Sequence, residues 1–546
     1  MSLPEFSRQE SPFSVDDLLG EQFPADDRFR LFADRIYPLL VKARATLQAA
    51  YCLDNGRPGI EPVLLLGVSI LQFMERCPDR QAVENLRYHL GWKLALGRDL
   101  RLEAFDPTVL VYFRHRLIGH QQAKLAFDAV LGGLKEAGLV SKRARQRLDS
   151  THMLGLVAHL SLLELLRETT RLALRELAAL EGLEDPAFWP GLWERYVENK
   201  LDYRLEEPAL KDRQLQAGQD MSLLLAWAGA QGPAVAGGKQ MQLLKRVLEE
   251  NFQAVEGRLQ VHPQPAGAVK NPHDPEATWS TKGRDKKKDW IGYKVQVAET
   301  VPETTSRAGE PTGAFIVAIE TQPAIGSEVA GKAQVMEAER KSGLEVPPEL
   351  YVDAGFVSTE ALKDAAEHGW ELVGPAPEPT AKNKTFKSDA FDVDVENRKA
   401  ICPAGRCSSN CSRLEEKATG AASYRFEWGG ACRDCPLREQ CVSQGQEHRT
   451  LAVGEDHRYL QERRREQKTE AFRVRMHQRN AIEGTNSELV RAHGLRHARY
   501  RGLPKVRLQN YFIGAAANTK RWIARLRYQM RQGLVQVTAS MTPLMS

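Results

Sequence analysis

The stretch ELYVDAGFVSTEALKDAAEHGWELVGP, residues 349–375, decides the expected fold, because it predicts a strand, a helix and a second strand in succession. The apolar run of ELYVDAG indicates the first strand, STEALKDAAEHG has the apolar spacing of a helix, and WELVGP indicates the second strand. This alternation is typical of an α/β core.

Working outward, three further strands and two helices are predicted around this unit. One strand is expected to end near Met153, and residues 291–300 and 314–324 resemble a hairpin with a long connection. Helices are expected at 327–342 and at roughly 460–490. The sequence therefore predicts a mixed α/β protein whose core is interrupted once by a helical block and once by a cysteine-rich segment.

Changes in pattern along the chain predict six divisions. These are a helical N-terminal domain at 1–140, the first part of the core at 141–157, a helical insertion at 158–270, the continued core at 271–400, a cysteine-rich insertion at 401–445, and a C-terminal helix with a basic segment at 446–546.

The composition, with 42% hydrophobic and 27% charged residues, is ordinary for a soluble globular protein. No apolar run reaches the length of a membrane span, and the polar, acidic N-terminus lacks the features of a signal peptide. We therefore expect a cytoplasmic protein without membrane contact.

Positive charge is concentrated near the C-terminus. Between Ala471 and Gln532 there are 14 Arg and Lys residues against two acids, a local balance of +12 in a chain whose total is +5, which leaves −7 for the rest. A nucleic-acid partner favours such a concentration, because each neutralised phosphate releases counterions. A solvated arginine-rich helix is the alternative.

Three acids occupy positions where an α/β core could bring them together. Asp149 lies on the first predicted strand, Asp353 at the end of a later strand, and Glu483 in the final helix. Carboxylates suit Mg²⁺, which prefers hard oxygen ligands, and two such ions support displacement at phosphorus. Taken singly, each acid is weak evidence, since Asp149 before Ser-Thr is more typical of a turn or cap, Asp353 also fits a plain strand end, and Glu483 also fits a helical ion pair with Arg479.

Six of the eight cysteines lie between residues 402 and 441, which favours a metal site over a secreted disulfide framework. The pair Cys432 and Cys435 has the two-residue spacing common in structural zinc sites, and we expect Cys402 and Cys407 to supply the second pair. Reduced unliganded thiols and redox pairing stay open as alternatives.

Several separated motifs resemble the IS1182-type bacterial insertion-sequence transposases, which are related to the IS5 and IS4 groups. In chain order these motifs are GRPGIEPVLLLGVSILQFMERC and FDPTVLVYFRHRL in the N-terminal region, RLDSTHM, DPEATWSTKGRDKKKDWIGYKVQVAET, YVDAGFVS, and RNAIEGTNSELVRAHGLRHARYRGLPKVRLQNYFIGAAANTKR. The resemblance covers nearly the whole chain, and the motifs stand in the expected order.

The resemblance implies an RNase H-like core, a mixed five-stranded sheet with flanking helices, and a DDE triad of Asp149, Asp353 and Glu483. It implies two Mg²⁺ or Mn²⁺ ions, and hydrolysis of double-stranded DNA at terminal inverted repeats followed by strand transfer of the 3′-OH into target DNA. We expect a homodimer on paired ends, associated with the bacterial nucleoid, with the N-terminal helices as the candidate for end binding. A metal-dependent nuclease without strand transfer and a catalytically silent DNA-binding repressor are the alternatives.

Basic residues predict the DNA contacts. Those expected to contact DNA are Arg479, Lys286, Lys287, Lys288, Arg491, Arg496, Arg499, Arg501 and Lys505. For the lysine run a solvated turn is the alternative. The IS4 pattern of a Tyr before the Arg and a Lys after the Glu is missing, since Met476 and Val490 stand there; Arg491 is the expected substitute for the Lys.

Overall fold

The computed structural model describes residues 2–3, 13–52, 56, 58–199, 206–282, 288–303, 310–379, 385–415, 420 and 422–534. Its strands, in chain order, are β1 Gln146–Leu154, β2 Phe252–Val255, β3 Arg258–Val261, β4 Thr278–Lys282, β5 Lys288–Thr300, β6 Ile316–Pro323, β7 Glu349–Tyr351, β8 Glu371–Val373, β9 Asp392–Asp394, β10 Lys399–Ile401, β11 Asn410–Glu415, β12 Ala422–Glu427 and β13 Thr450–Gly454.

The helices surround these strands. They are α1 Val15–Leu19, α2 Arg28–Leu31, α3 Tyr37–Lys42, α4 Arg44–Gln48, α5 Pro62–Glu75, α6 Asp79–Tyr88, α7 Leu90–Ala95, α8 Thr108–Gly119, α9 Leu125–Glu136, α10 Leu162–Leu177, α11 Trp189–Trp193, α12 Glu207–Gln231, α13 Pro233–Ala236, α14 Lys239–Asn251, α15 Glu328–Lys341, α16 Thr359–Glu367, α17 Arg438–Cys441, α18 His457–Glu466, α19 Glu470–His493 and α20 Leu503–Arg531. In the described part of the chain, none of them has the length and apolar character needed to cross a membrane.

The main sheet is mixed, with β1 near its centre. β1 pairs antiparallel with β5 on one side and parallel with β7 on the other, and β8 continues the parallel pairing beyond β7. The long strand β5 pairs antiparallel with both β4 and β6 along its free side. The predicted mixed α/β class and the hairpin of β5 with β6 are confirmed, but the sheet contains six strands where five were predicted. The additional strand, β4, pairs with the first residues of β5.

The alternation of side chains along β1 sends neighbouring residues to opposite faces of the sheet. Arg147 donates a hydrogen bond to the carbonyl of Gln478, so the odd-numbered residues of β1 face α19. Ser150 donates to Glu328 at the start of α15, so the even-numbered residues face α15. Asp149 therefore lies on the α19 side because of its position in the strand.

The N-terminal helices pack against the sheet and α20 in one continuous hydrophobic cluster. Helix α5 is buried on almost every side, as expected for an apolar helix. Gly514 lets α20 approach both neighbours closely, because an added Cβ would lie 2.9 Å from the Phe127 ring and 3.0 Å from Ile319 Cγ2. Helix α20 thus packs directly against both α9 and strand β6.

The two interrupting segments have hydrophobic clusters of their own. In the helical block, α10, α12 and α14 enclose one cluster, and the hairpin of β2 with β3 stands where no strand was predicted. The cysteine-rich segment of the structure, residues 391–454, contains another cluster around Phe426 and Trp428, which the hairpin of β9 with β10 and the three-stranded sheet β11–β12–β13 enclose.

Candidate active site

The three predicted acids lie on three elements that meet where β7 ends beside the first half of β1. Asp149 is in β1, Asp353 follows β7 and caps a short 3₁₀ helix, and Glu483 is near the middle of α19. The parallel register pairs Arg147 with Tyr351, so Asp149 and Asp353 each lie two residues farther along neighbouring strands. Adjacent parallel strands thereby bring two carboxylates to the same edge of the sheet.

The guanidinium of Arg479 contacts all three carboxylates. Its Nη2 atom is 3.4 Å from Asp149 Oδ1 and 3.9 Å from Asp353 Oδ2. Its Nη1 atom is 3.8 Å from Glu483 Oε1, the residue one helical turn later. Residues that are more than 100 positions apart in the sequence are therefore gathered around one cation.

The site is open to solvent on one side. The Asp149 side chain is 17% exposed, whereas those of Asp353 and Glu483 are 61% and 72% exposed, so Asp149 lies at the base of the site. Carboxylate oxygens that face water fit the preference of Mg²⁺ or Mn²⁺ for a few acidic ligands with water and phosphate completing the shell. Among the residues that the structure describes, no three acidic, His or Cys side chains are already arranged as ligands of one ion.

Asn486 is a site residue that the sequence analysis missed. Its Nδ2 atom donates a hydrogen bond of 3.0 Å to Asp149 Oδ2, opposite the oxygen that contacts Arg479. Arg479, Glu483 and Asn486 follow one another at helical spacing on the same face of α19, which is a signal that the sequence contains. Asn486 and Arg479 together hold the Asp149 carboxylate in place from the helix side.

A buried ionic network behind the site joins the strand of Asp149 to the helix of Glu483. Glu299 in β5 is fully buried and accepts hydrogen bonds from Arg147 Nε at 2.6 Å, Thr485 Oγ1 at 2.6 Å and Arg521 Nη1 at 2.8 Å. Arg521 in α20 also pairs with Glu488 in α19 at 2.7 Å. Sequence spacing predicted none of these partners, because they come from four separate elements.

Apart from Arg479, the predicted DNA-contact residues fall into three groups. Arg491 and Arg501 are exposed and Lys505 is half-buried. Arg496 donates to the carbonyl of His152 at 2.6 Å, and Arg499 donates to the carbonyl of Cys77 at 3.1 Å, so both guanidinium groups also bind the protein itself.

The predicted lysine run is the third group. Lys288 is the first residue of β5. It lies four residues before Gly292, which pairs with Leu154 at the carboxyl end of β1. Lys286 and Lys287 lie outside the described residues.

The structure brings three of the four predicted zinc ligands together. Cys402, Cys432 and Cys435 line one small cavity, and the fourth cysteine beside them is Cys441. Cys407, the predicted fourth ligand, is exposed and pairs through its backbone with Ile401. Pro403, Ala404 and Arg406 still line the cavity but Cys407 does not, which spacing alone could not reveal.

Two family models match the chain. Residues 401–523 match the family described as Transposase DDE domain, and residues 17–116 match the family described as Transposase domain (DUF772). The first match includes α19 with Arg479, Glu483 and Asn486. No curated protein matches the chain. The two matches support an insertion-sequence DDE transposase, a class of enzyme whose substrate is DNA.

Proposed function

We propose that this protein is the transposase of an IS1182-type insertion sequence and that Asp149, Asp353 and Glu483 are its catalytic triad. The observation that carries the proposal is the convergence of the three carboxylates on Arg479. An antiparallel strand on one side of β1 and parallel strands on the other support an RNase H-like core for this site.

The carboxylates would hold two Mg²⁺ or Mn²⁺ ions, which activate the attacking oxygen and stabilise the leaving oxygen. Asp149 would hold metal from the base of the site, where Asn486 orients one of its oxygens and the other lies beside Arg479. Once the carboxylates bind metal, the Arg479 guanidinium is left to pair with a DNA phosphate, for which its bidentate geometry is well suited.

The reaction proceeds in two displacements at phosphorus. A water oxygen first bonds to the phosphorus at the element end while the P–O3′ bond breaks, which leaves a 3′-OH and a 5′-phosphate. The freed 3′-OH then attacks a phosphodiester of the target DNA, and the target 3′ oxygen leaves with the proton. The number of P–O bonds is unchanged in the second step, so strand transfer needs no external energy source.

We place the DNA along the basic surface beside the site. Arg491 lies two turns after Glu483 on α19, roughly 12 Å along the helix axis, and it is exposed together with Arg501. Arg496 and Arg499 are also proposed phosphate contacts, since a guanidinium has five N–H donors and protein contacts use few of them. Lys505 and the lysines at 286–288 complete the proposed surface.

Three further assignments belong to this proposal. The N-terminal helices bind the element ends, two copies of the chain pair two ends, and the protein acts in the bacterial cytoplasm at the nucleoid. Removal of 1–140 is a poor test of end binding, because these helices share a hydrophobic cluster with the sheet.

The test uses the purified full-length protein with labelled duplex DNA that carries the inverted repeats of its own element, in Mg²⁺ or in EDTA. We expect Mg²⁺-dependent cleavage at the element boundary, followed by joined products when target DNA is added. Glu483→Gln should still bind the duplex and fail to cleave it. Glu470→Gln is the matched control, because this acid lies on the same helix and its side chain is 78% exposed.

The products distinguish the proposal from its alternatives. Cleavage without joined products would favour a nuclease, and end-specific binding by the wild type without cleavage would favour a repressor. Equal cleavage by wild type and Glu483→Gln would overturn the triad.

A further inference from the structure

The cysteine-rich segment contains a small cavity lined by four thiols. Cys402 follows β10, Cys432 ends the 3₁₀ helix Gly429–Cys432, Cys435 is in the next turn, and Cys441 ends α17. The cavity has a volume of about 10 Å³, which is room for one particle of the size of a water molecule or an ion. Cys432 and Cys441 are buried in the segment's own core, whereas Cys402 and Cys435 are half-buried, so the cavity is partly enclosed.

The backbone around the cavity has the turns that present cysteine pairs to a metal. Cys402 O accepts a hydrogen bond from Gly405 N at 2.8 Å, and Gly405 has a φ of +74°, the left-handed conformation that glycine favours. Cys435 O accepts from Arg438 N at 3.0 Å. The Arg449 N–H lies 3.5 Å from Cys432 Sγ, where it can donate to a metal-bound thiolate.

Three arginines supply positive charge at this cavity. Arg406 donates to the carbonyl of Ala431, Arg438 to that of Cys432 at 3.0 Å, and Arg449 to that of Cys441 at 3.3 Å. All three side chains also line the cavity. Four thiolates around one Zn²⁺ carry a net charge of −2, which nearby guanidinium groups would offset.

We propose that Cys402, Cys432, Cys435 and Cys441 bind one structural Zn²⁺ ion in tetrahedral geometry. Binding converts four thiols to thiolates, forms four Zn–S bonds and releases four protons to solvent. Among the described residues no three such side chains are already arranged as ligands of one ion, so zinc binding would require the thiols to move closer together. Cys407 and Cys411 take no part in this site.

The ion would hold the segment together where its own core is small. It ties the turn after β10 to the 3₁₀ helix and to α17, which are separate in sequence. The segment in turn contacts α18, where Gln461 binds the backbone of Val393 at 3.1 Å and Asp392 at 2.7 Å. Helix α18 leads directly into α19, so the zinc would stabilise the approach to the catalytic helix without touching the carboxylate site.

The experiment measures the zinc content of the full-length protein, purified with reductant and without added metal. We expect one zinc per chain in the wild type, and loss of zinc in Cys432→Ser and Cys441→Ser. The matched controls Cys407→Ser and Cys411→Ser should keep the full zinc content. Loss in Cys407→Ser with retention in Cys441→Ser would overturn the ligand set.

Two further measurements on the wild type test the proposal even if a serine variant fails to fold. Replacement of zinc by Co²⁺ in the wild type should give the thiolate-to-metal charge-transfer band and the intense visible bands of a tetrahedral thiolate site. Thiol titration of the denatured wild type, without reductant, should find all eight cysteines reduced. A wild type that neither contains zinc nor takes up Co²⁺, or that contains disulfides among these four residues, refutes the site.

Discussion

Glu299 and Arg147 form a buried ion pair, with 2.6 Å between Arg147 Nε and Glu299 Oε1. The two residues are directly opposite each other in the antiparallel register of β1 and β5. Arg147 stands two residues before Asp149, and the other oxygen of Glu299 binds Thr485, two residues after Glu483. The buried carboxylate of Glu299 therefore links the strand that carries Asp149 to the helix that carries Glu483.

Glu299→Gln should lower both stability and activity. The change leaves Arg147 and Arg521 buried without their shared counter-charge, and breaking a buried pair in this way costs about 3–5 kcal/mol. We expect a lower free energy of unfolding in urea, together with weaker Mn²⁺ binding, because Asp149 and Glu483 lose their relative positions. Unchanged Mn²⁺ affinity in a folded variant would show that the network is structural alone; the exposed Glu470→Gln is the control.

Arg479→Gln should bind divalent cations more tightly in the absence of DNA. The guanidinium competes with a metal for three carboxylates, and its removal also increases the negative charge of the site. The interaction of a guanidinium with carboxylates at these distances contributes about 1 kcal/mol. We therefore expect the Mn²⁺ affinity, measured by calorimetry, to increase roughly three- to tenfold. Arg473→Gln, on the same helix and paired with Glu470, should leave the affinity unchanged. Weaker binding by Arg479→Gln would contradict this prediction.

Glu339→Gln should remove a loss of stability that the wild type shows as pH rises. Burial raises the pKa of the Glu339 carboxyl to about 8 from 4.5, with Lys124 and Gln146 opposing the shift. The pKa of Glu339 is higher in the folded protein than in the unfolded chain. The neutral carboxyl therefore contributes fully to stability below pH 4.5, and this contribution is lost as pH rises towards about 8. Each pKa unit corresponds to about 1.4 kcal/mol, so the loss is on the order of several kcal/mol.

The measurement for Glu339 is the thermal midpoint of wild type and variant at several pH values between 5 and about 8. Other ionisable groups are common to both proteins, so the difference isolates this carboxyl. The midpoint of Glu339→Gln relative to wild type should rise with pH, and a constant difference would show that Glu339 is not buried in its neutral form.

Two adjacent glycines in α9 should respond oppositely to alanine. A Cβ added at Gly132 meets nothing within 4 Å, so Gly132→Ala should raise the free energy of unfolding by about 0.5–1 kcal/mol through helix propensity. A Cβ at Gly133 would overlap the side chain of Leu39, so Gly133→Ala should lower it by about 1–3 kcal/mol. Equal effects in urea unfolding would contradict the packing of α9 against α3.

Helical and strand periodicity in the sequence predicted the strands of Asp149 and Asp353, but the single helix expected at roughly 460–490 is two helices, α18 His457–Glu466 and α19 Glu470–His493, and Glu483 lies on the second. The helix predicted at 327–342 is Glu328–Lys341, and the hairpin of β5 with β6 lies where the alternating residues indicated it. Local patterns were insufficient for β4 and for the hairpin of β2 with β3, whose pairing depends on neighbours that fold beside them.

What the sequence by itself determined was local: the elements of the three acids and the one-turn spacing of Arg479 from Glu483. Only the tertiary structure decided that Arg479 also contacts Asp149, 330 residues away, that Glu299 joins β1 to α19, and that Cys441 rather than Cys407 faces the cavity. The physical reason is that periodicity reports which face of an element is buried, while the partner on that face is set by strand register and by the packing of distant elements.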